Sequence, residues 1–142
     1  MLFRSVTVTD LVNGSTVTAP FSVASTTCGS TAPVAKSAAN GSAPASGTST
    51  APSNGGTYTV GGGFNLQLDG TATSTPNALC TNGLNYLWSI YALPPGSNTS
   101  IRPANAAKPT MNLDVVGTYV VKLIVTDGLT VSAPTYMSIT GN

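Results

Sequence analysis

The sequence predicts an all-β protein folded as an antiparallel sandwich, and three observations carry that reading. Helix signals are nearly absent: the 142 residues contain no Glu, and no window places apolar residues at i, i+3, i+4 and i+7 over three turns. Alternating and β-branched runs recur instead. Gly, Pro and Asn separate those runs at short intervals, which is how sandwiches and barrels are punctuated.

The length is that of about one domain, so one core is expected. Five basic and four acidic residues leave the surface to be wetted by Ser, Thr, Asn and Gly. The net charge of +1 has no basic cluster behind it, and so nothing concentrates positive charge for nucleic acid. No uninterrupted apolar run approaches the roughly 20 residues that span a bilayer as a helix.

Taken in order, the chain opens on a strand at Val6 and Val8, only a few residues after Met1, and MLFRSVTVTD holds no signal-peptide core. The expectation is a chain cut from a longer one, with its export signal upstream. The first hairpin has a second copy. Val8-Thr9-Asp10 followed by Thr16-Val17-Thr18-Ala19-Pro20 matches Val125-Thr126-Asp127 followed by Thr130-Val131-Ser132-Ala133-Pro134, about one domain length away. Residues 1–24 therefore read as the closing hairpin of a preceding repeat, and residues 25–142 as one complete sandwich. The alternatives are a chance match in a Thr/Val-rich chain, or a hairpin that adds its strands to the sandwich or to a neighbouring chain.

Residues 36–56 contain no large apolar side chain and are expected to form a flexible Ala/Ser/Gly/Pro-rich insert. Beyond it the strands are clear. Phe64, Leu66 and Leu68 alternate onto one face, Tyr86, Trp88 and Ile90 onto another, and Tyr119, Val121, Leu123 and Val125 onto a third. Stacked about 10 Å apart, these faces fill a single core. Cys28 and Cys80 lie in a Ser/Thr-rich, charge-poor context of the extracellular kind, where disulfides persist. A Cys28–Cys80 bridge is the favoured expectation, with two free thiols as the alternative.

The order of motifs carries a resemblance. Ala32-Pro33-Val34-Ala35 stands as a first strand, Leu66-Gln67-Leu68-Asp69-Gly70 as a second and Asn85-Tyr86-Leu87-Trp88-Ser89 as a tryptophan strand. Pro94-Pro95-Gly96-Ser97, Lys108-Pro109-Thr110, Asp114-Val115-Val116-Gly117-Thr118-Tyr119-Val120-Val121 and Val125-Thr126-Asp127-Gly128 follow. Over most of residues 31–140 the chain resembles the PKD-type domains of bacterial extracellular and cell-surface proteins. The resemblance implies an immunoglobulin-like sandwich, tandem arrangement and no catalysis. Two departures stand out: residues 36–63 intervene between the first two strands, and the acidic loop usual before the tryptophan strand is replaced by Thr75-Pro76-Asn77-Ala78-Leu79-Cys80.

Asp114-x-x-Gly117-x-Tyr119 has the form of a tyrosine corner, in which Gly117 permits the turn and the Tyr119 hydroxyl bonds upstream backbone. Val121 then occupies the place of the second cysteine of antibody domains. Trp88 is accordingly expected to pack on Leu66 and Val121 with no central disulfide.

Chemistry has few residues to work with. His and Glu are both absent, removing the commonest general base, the commonest transition-metal ligand and one of the two carboxylates. Asp69, Asp114 and Asp127 sit in or beside turns, and no DxDxD spacing exists for calcium. No cofactor is expected. Asn13-Gly14-Ser15, Asn40-Gly41-Ser42 and Asn98-Thr99-Ser100 match the N-glycosylation pattern, but so Asn-, Ser- and Thr-rich a chain produces such matches by composition. Tyr58, Tyr91 and Tyr136 are the candidates for stacking on sugars, with edge or rim packing as the simpler role.

Two functions remain. One is an extracellular or cell-surface structural module, a repeat of a tandem array acting as spacer, stalk or fibre subunit, whose partners are neighbouring repeats or identical subunits. The other is an accessory module of a secreted hydrolase that grips a surface glycan or protein.

Overall fold

A computed structural model of the chain describes residues 2–23, 28–29, 31–40, 45–61, 65–80 and 83–142. Ten strands run in chain order: β1 (Leu2–Thr9), β2 (Thr16–Val23), β3 (Ala38–Ala39), β4 (Ser53–Tyr58), β5 (Asn65–Asp69), β6 (Asn85–Ala92), β7 (Ile101–Arg102), β8 (Thr110–Asn112), β9 (Gly117–Thr126) and β10 (Thr135–Gly141). No helix occurs among the described residues. The sandwich consists of one sheet in the order β4-β10-β9-β6 and a second in the order β3-β5-β8-β7. Neighbours are antiparallel except β4, which lies parallel to β10 with Met137 opposite Ser53 and Gly141 opposite Tyr58.

Period-two alternation decides what faces inward. Tyr119, Val121, Leu123 and Val125 of β9 are buried, with Ile90, Trp88 and Tyr86 of β6 opposite Val121, Leu123 and Val125. Leu66 and Leu68 of β5 are inaccessible from the facing sheet, and Trp88, Leu66 and Val121 belong to one continuous cluster. Phe64 lies outside the described residues. The cluster is completed by Met111, Leu113, Met137 and Ile139. Each side chain of that size stabilises by about 1.5–3 kcal/mol when fully buried.

The described parts of the expected insert, residues 36–40 and 45–56, supply strand residues to both sheets. Ala38 and Ala39 pair with Asp69 and Leu68, and residues 53–58 form the parallel strand against β10. Ala35, Ser37, Ala38 and Ala39 are buried. The physical reason is close approach: a Cβ built on Gly55 would stand 2.7 Å from Met137 Cγ and 2.8 Å from Ile139 Cγ1. A strand that pairs through its backbone and lies against larger neighbours needs no large side chain of its own. The first strand expected at residues 32–35 is absent. Val34 makes only an isolated bridge to Ser74 and is itself exposed.

Strands β1 and β2 pair along their whole length, from Leu2 opposite Val23 to Thr9 opposite Thr16, and form a separate two-stranded sheet.

Candidate functional site

Three polar constructions sit on this frame. The first lies at the disulfide end. Cys28 and Cys80 are bonded, with Cα atoms 6.0 Å apart, so the start of the sandwich is tied to the loop that precedes β6. Beside them Asn77 and Asp127 are buried, 2% and 3% exposed. The Asn77 amide donates to Asp127 Oδ2 at 2.8 Å and to the Thr31 carbonyl at 2.9 Å, while its oxygen accepts the Gly29 N–H at 3.0 Å. Thr75 donates to the same Asp127 oxygen at 2.7 Å, and the N–H groups of Leu129 and Thr130 donate to Oδ1 at 3.0 and 2.8 Å. These donors, the Asn77 amide foremost, hold the Asp127 carboxyl well below the usual carboxylate range against the opposing effect of burial. Asp127 thus fixes its own turn and ties three loops together.

The second is the tyrosine corner. The buried Tyr119 hydroxyl accepts the Val115 N–H at 2.9 Å and faces two acceptors, the Val115 carbonyl and Asp114 Oδ1 at 3.1 Å. Gly117 has φ of 141°, and a Cβ there would lie 2.5 Å from Pro94 Cβ, so the turn excludes any other residue. Asp114 also accepts from Ser97 Oγ at 2.6 Å and from the Asn98 N–H at 2.7 Å. With Ser97 as the main cause, these bonds keep its carboxyl below the ordinary value. Asp69 is lowered as well, since Lys108, 2.9 Å away, and Thr71 outweigh the upward push of desolvation.

The third is the β1–β2 hairpin. Val6 and Val8 lie opposite Ala19 and Val17 on one face, and Thr7 donates to or accepts from Thr18 at 2.9 Å on the other. Its turn repeats that of the sandwich: Asp10 Oδ1 accepts the Val12 N–H at 2.8 Å, as Asp127 Oδ1 accepts that of Leu129, again two residues on.

Among the described residues no three of His, Cys, Asp and Glu come together as a metal site. Of the tyrosines considered for stacking, Tyr91 and Tyr136 meet edge to face at 4.8 Å between ring centres on the outer side of the β6-β9-β10 sheet. Tyr58 is half-buried and donates to the Gly55 carbonyl at 2.9 Å. Sequence reasoning missed Asn77 altogether, because an amide 50 residues from its carboxylate leaves no local pattern.

No protein-family model and no curated protein matches the sequence. The shape, however, has solved counterparts. A solution structure of the PKD domain of human KIAA0319 aligns with 84% of this chain and 92% of its own, at a TM-score of 0.50 and 16% identity. The fold is that of a PKD domain. At such identity the likeness is one of architecture. A second PKD-domain solution structure, from the KIAA 1837 protein, shares 25% identity over 72% of this chain and 92% of its own, with a TM-score of 0.49. The PKD-type sandwich here is stapled by a peripheral disulfide and cored by Trp88 without one.

Proposed function

We propose that the chain is a non-catalytic extracellular structural module, one repeat of a tandem array that serves as spacer, stalk or fibre subunit. The observation that carries the reading is the β1–β2 hairpin. Among the described residues it pairs with no strand of the sandwich, and it repeats the sequence of the end of β9 and of the turn and linker that lead into β10, reproducing the Asp-fixed turn there. In the sandwich the equivalent of Val8 is Val125, which is inaccessible, whereas Val6, Val8 and Val17 are 53%, 65% and 71% exposed. A hairpin with such a face is marginal by itself and calls for an adjoining module or a second copy. The disulfide supports an oxidising compartment. The absence of His and Glu from the sequence supports a non-catalytic role, as does the commitment of Asp69, Asp114 and Asp127 to turn and loop contacts.

Deleting residues 1–24 tests this reading. The melting temperature of the remaining disulfide-bonded sandwich should stay nearly unchanged, while self-association measured by sedimentation should fall. A truncated chain that no longer folds as a monomer makes the hairpin part of the sandwich and overturns the proposal.

A further inference from the structure

The outer face of the β3-β5-β8-β7 sheet carries a hollow of about 330 Å³ that none of the structural roles above uses. Alternation puts Leu66, Ile101 and Met111 inward and presents Asn65, Asn112, Thr110 and Arg102 outward, with Asn65 opposite Asn112 and Thr110 opposite Arg102 across the ladder. One side is raised by the loop at residues 97–100, and that wall is fastened at several points. Ser97 Oγ and the Asn98 N–H donate to Asp114, and Thr99 Oγ1 donates to the Asn112 carbonyl. Arg102 is oriented in turn, its Nε–H donating to Ser100 Oγ at 3.0 Å.

Hydrogen bonds thus hold the rim, and part of the lining is left uncommitted. Among the described residues, the side-chain amides of Asn65, Asn98 and Asn112 and the terminal nitrogens of Arg102 have no protein partner. Planar amide and guanidinium groups each present paired donors or a donor beside an acceptor, at a spacing that matches two adjacent hydroxyls. A rim fixed in advance also lowers the ordering cost of binding. The volume lies at the small end of the range for ligand pockets, about 300–1,000 Å³, enough for a sugar unit or two and not for a peptide side.

We propose that this hollow is a saccharide-binding site, with Arg102, Asn98 and Asn112 as the hydrogen-bonding residues. The site does not depend on the stalk reading, since a spacer and an accessory module alike can carry it.

The full disulfide-bonded chain, labelled with ¹⁵N, is titrated with glucose, galactose, mannose, N-acetylglucosamine, their β-linked disaccharides and glucuronate. Expected are dose-dependent shifts confined to residues 97–102 and 110–112, with Arg102 Nε–H among the resonances that move. Arg102→Met and Asn112→Leu, both exposed, should each weaken binding about tenfold or more while leaving the melting temperature in place. Asn54→Leu, on β4 away from the hollow, should leave the affinity as it is. The inference is overturned if no sugar of the panel shifts these resonances, if the shifts cluster on the Tyr91 and Tyr136 face, or if both hollow variants bind as the parent does. None of those outcomes bears on the hairpin deletion, so the two proposals fail separately.

Discussion

Replacing Tyr119 by Phe removes one oxygen from the core and leaves every apolar contact of the ring in place, which makes it a clean probe of the tyrosine corner. The lost hydroxyl is the acceptor for the Val115 N–H and a neighbour of Asp114 Oδ1. Val115 is half-buried against the core, so its N–H is not simply handed to bulk water. Orphaning such a donor costs about 1–3 kcal/mol, and the ring, already inaccessible, offers no compensating burial. We therefore expect a loss of about 2 kcal/mol. For a chain of this size that corresponds to a fall in melting temperature of roughly 8 °C. Urea denaturation reads it as a lowered midpoint with an unchanged slope, because the surface exposed on unfolding stays the same. A loss below about 0.5 kcal/mol would mean that water takes the place of the hydroxyl and that the corner fastens nothing. A changed slope would mean that the variant had altered the compactness of a state and not one bond.

Three further outcomes are expected. Trp88→Ala should unfold the sandwich, since removing a large buried aromatic costs about 3–5 kcal/mol and the Nε1–H bond to the Ala106 carbonyl at 3.0 Å goes with it. The parent's tryptophan emission should be blue-shifted, and a red-shifted, easily quenched tryptophan would refute its buried placement. Asp127, held below its ordinary value of 3.8, contributes stability that is complete above about pH 4 and is lost as pH falls through the depressed folded value. Asp127→Asn should accordingly lower stability at neutral pH and flatten the acid limb of the stability curve. An acid limb as steep as the parent's would assign the acid sensitivity to other carboxylates. Replacing Cys28 and Cys80 together by Ser should cost about 4 kcal/mol in the chain-entropy account for a loop of this length, read by thermal melts under matched conditions. A melt unchanged by the double replacement would show that the bridge does not constrain the unfolded chain.

What could be read in the sequence was whatever expresses itself as alternation or as turn chemistry. The β6 and β9 faces follow from Tyr86, Trp88 and Ile90 and from Tyr119 to Val125, and the same alternation was present, though not used, in Met111 with Leu113 and Met137 with Ile139. Gly117 and Tyr119 were legible because a turn that tolerates no Cβ and a buried hydroxyl both demand particular residues. Strands β3 and β4 were not. Ala38, Ala39 and Gly55 pack by being small, and hydrophobic patterning does not register a residue whose contribution is the space it leaves. Nor could the Asn77–Asp127 contact be read, because it depends on how two distant loops meet. The hollow lies between these cases: its residues are ordinary exposed polar positions on alternating strands, and only the fastened loop at residues 97–100 makes them a cavity.

The disulfide also determines how the chain carries tension. A pull entering from the hairpin side reaches Cys28 and crosses through sulfur to Cys80, 52 positions on, so the chain between them, with β3, β4 and β5 inside it, is excluded from the line of force. Load then passes into β6 and on through β9 to β10, with β6 antiparallel to β9 and β9 antiparallel to β10. With the bridge reduced, the same pull runs through β4, which lies parallel to β10, and the two are drawn in opposite directions along their common axis so that all their bonds share the strain. Reduction thus reroutes force through a different pair of strands and releases up to roughly 180 Å of hidden chain at about 3.5 Å per residue. Stretching single molecules with and without reductant reads that length directly.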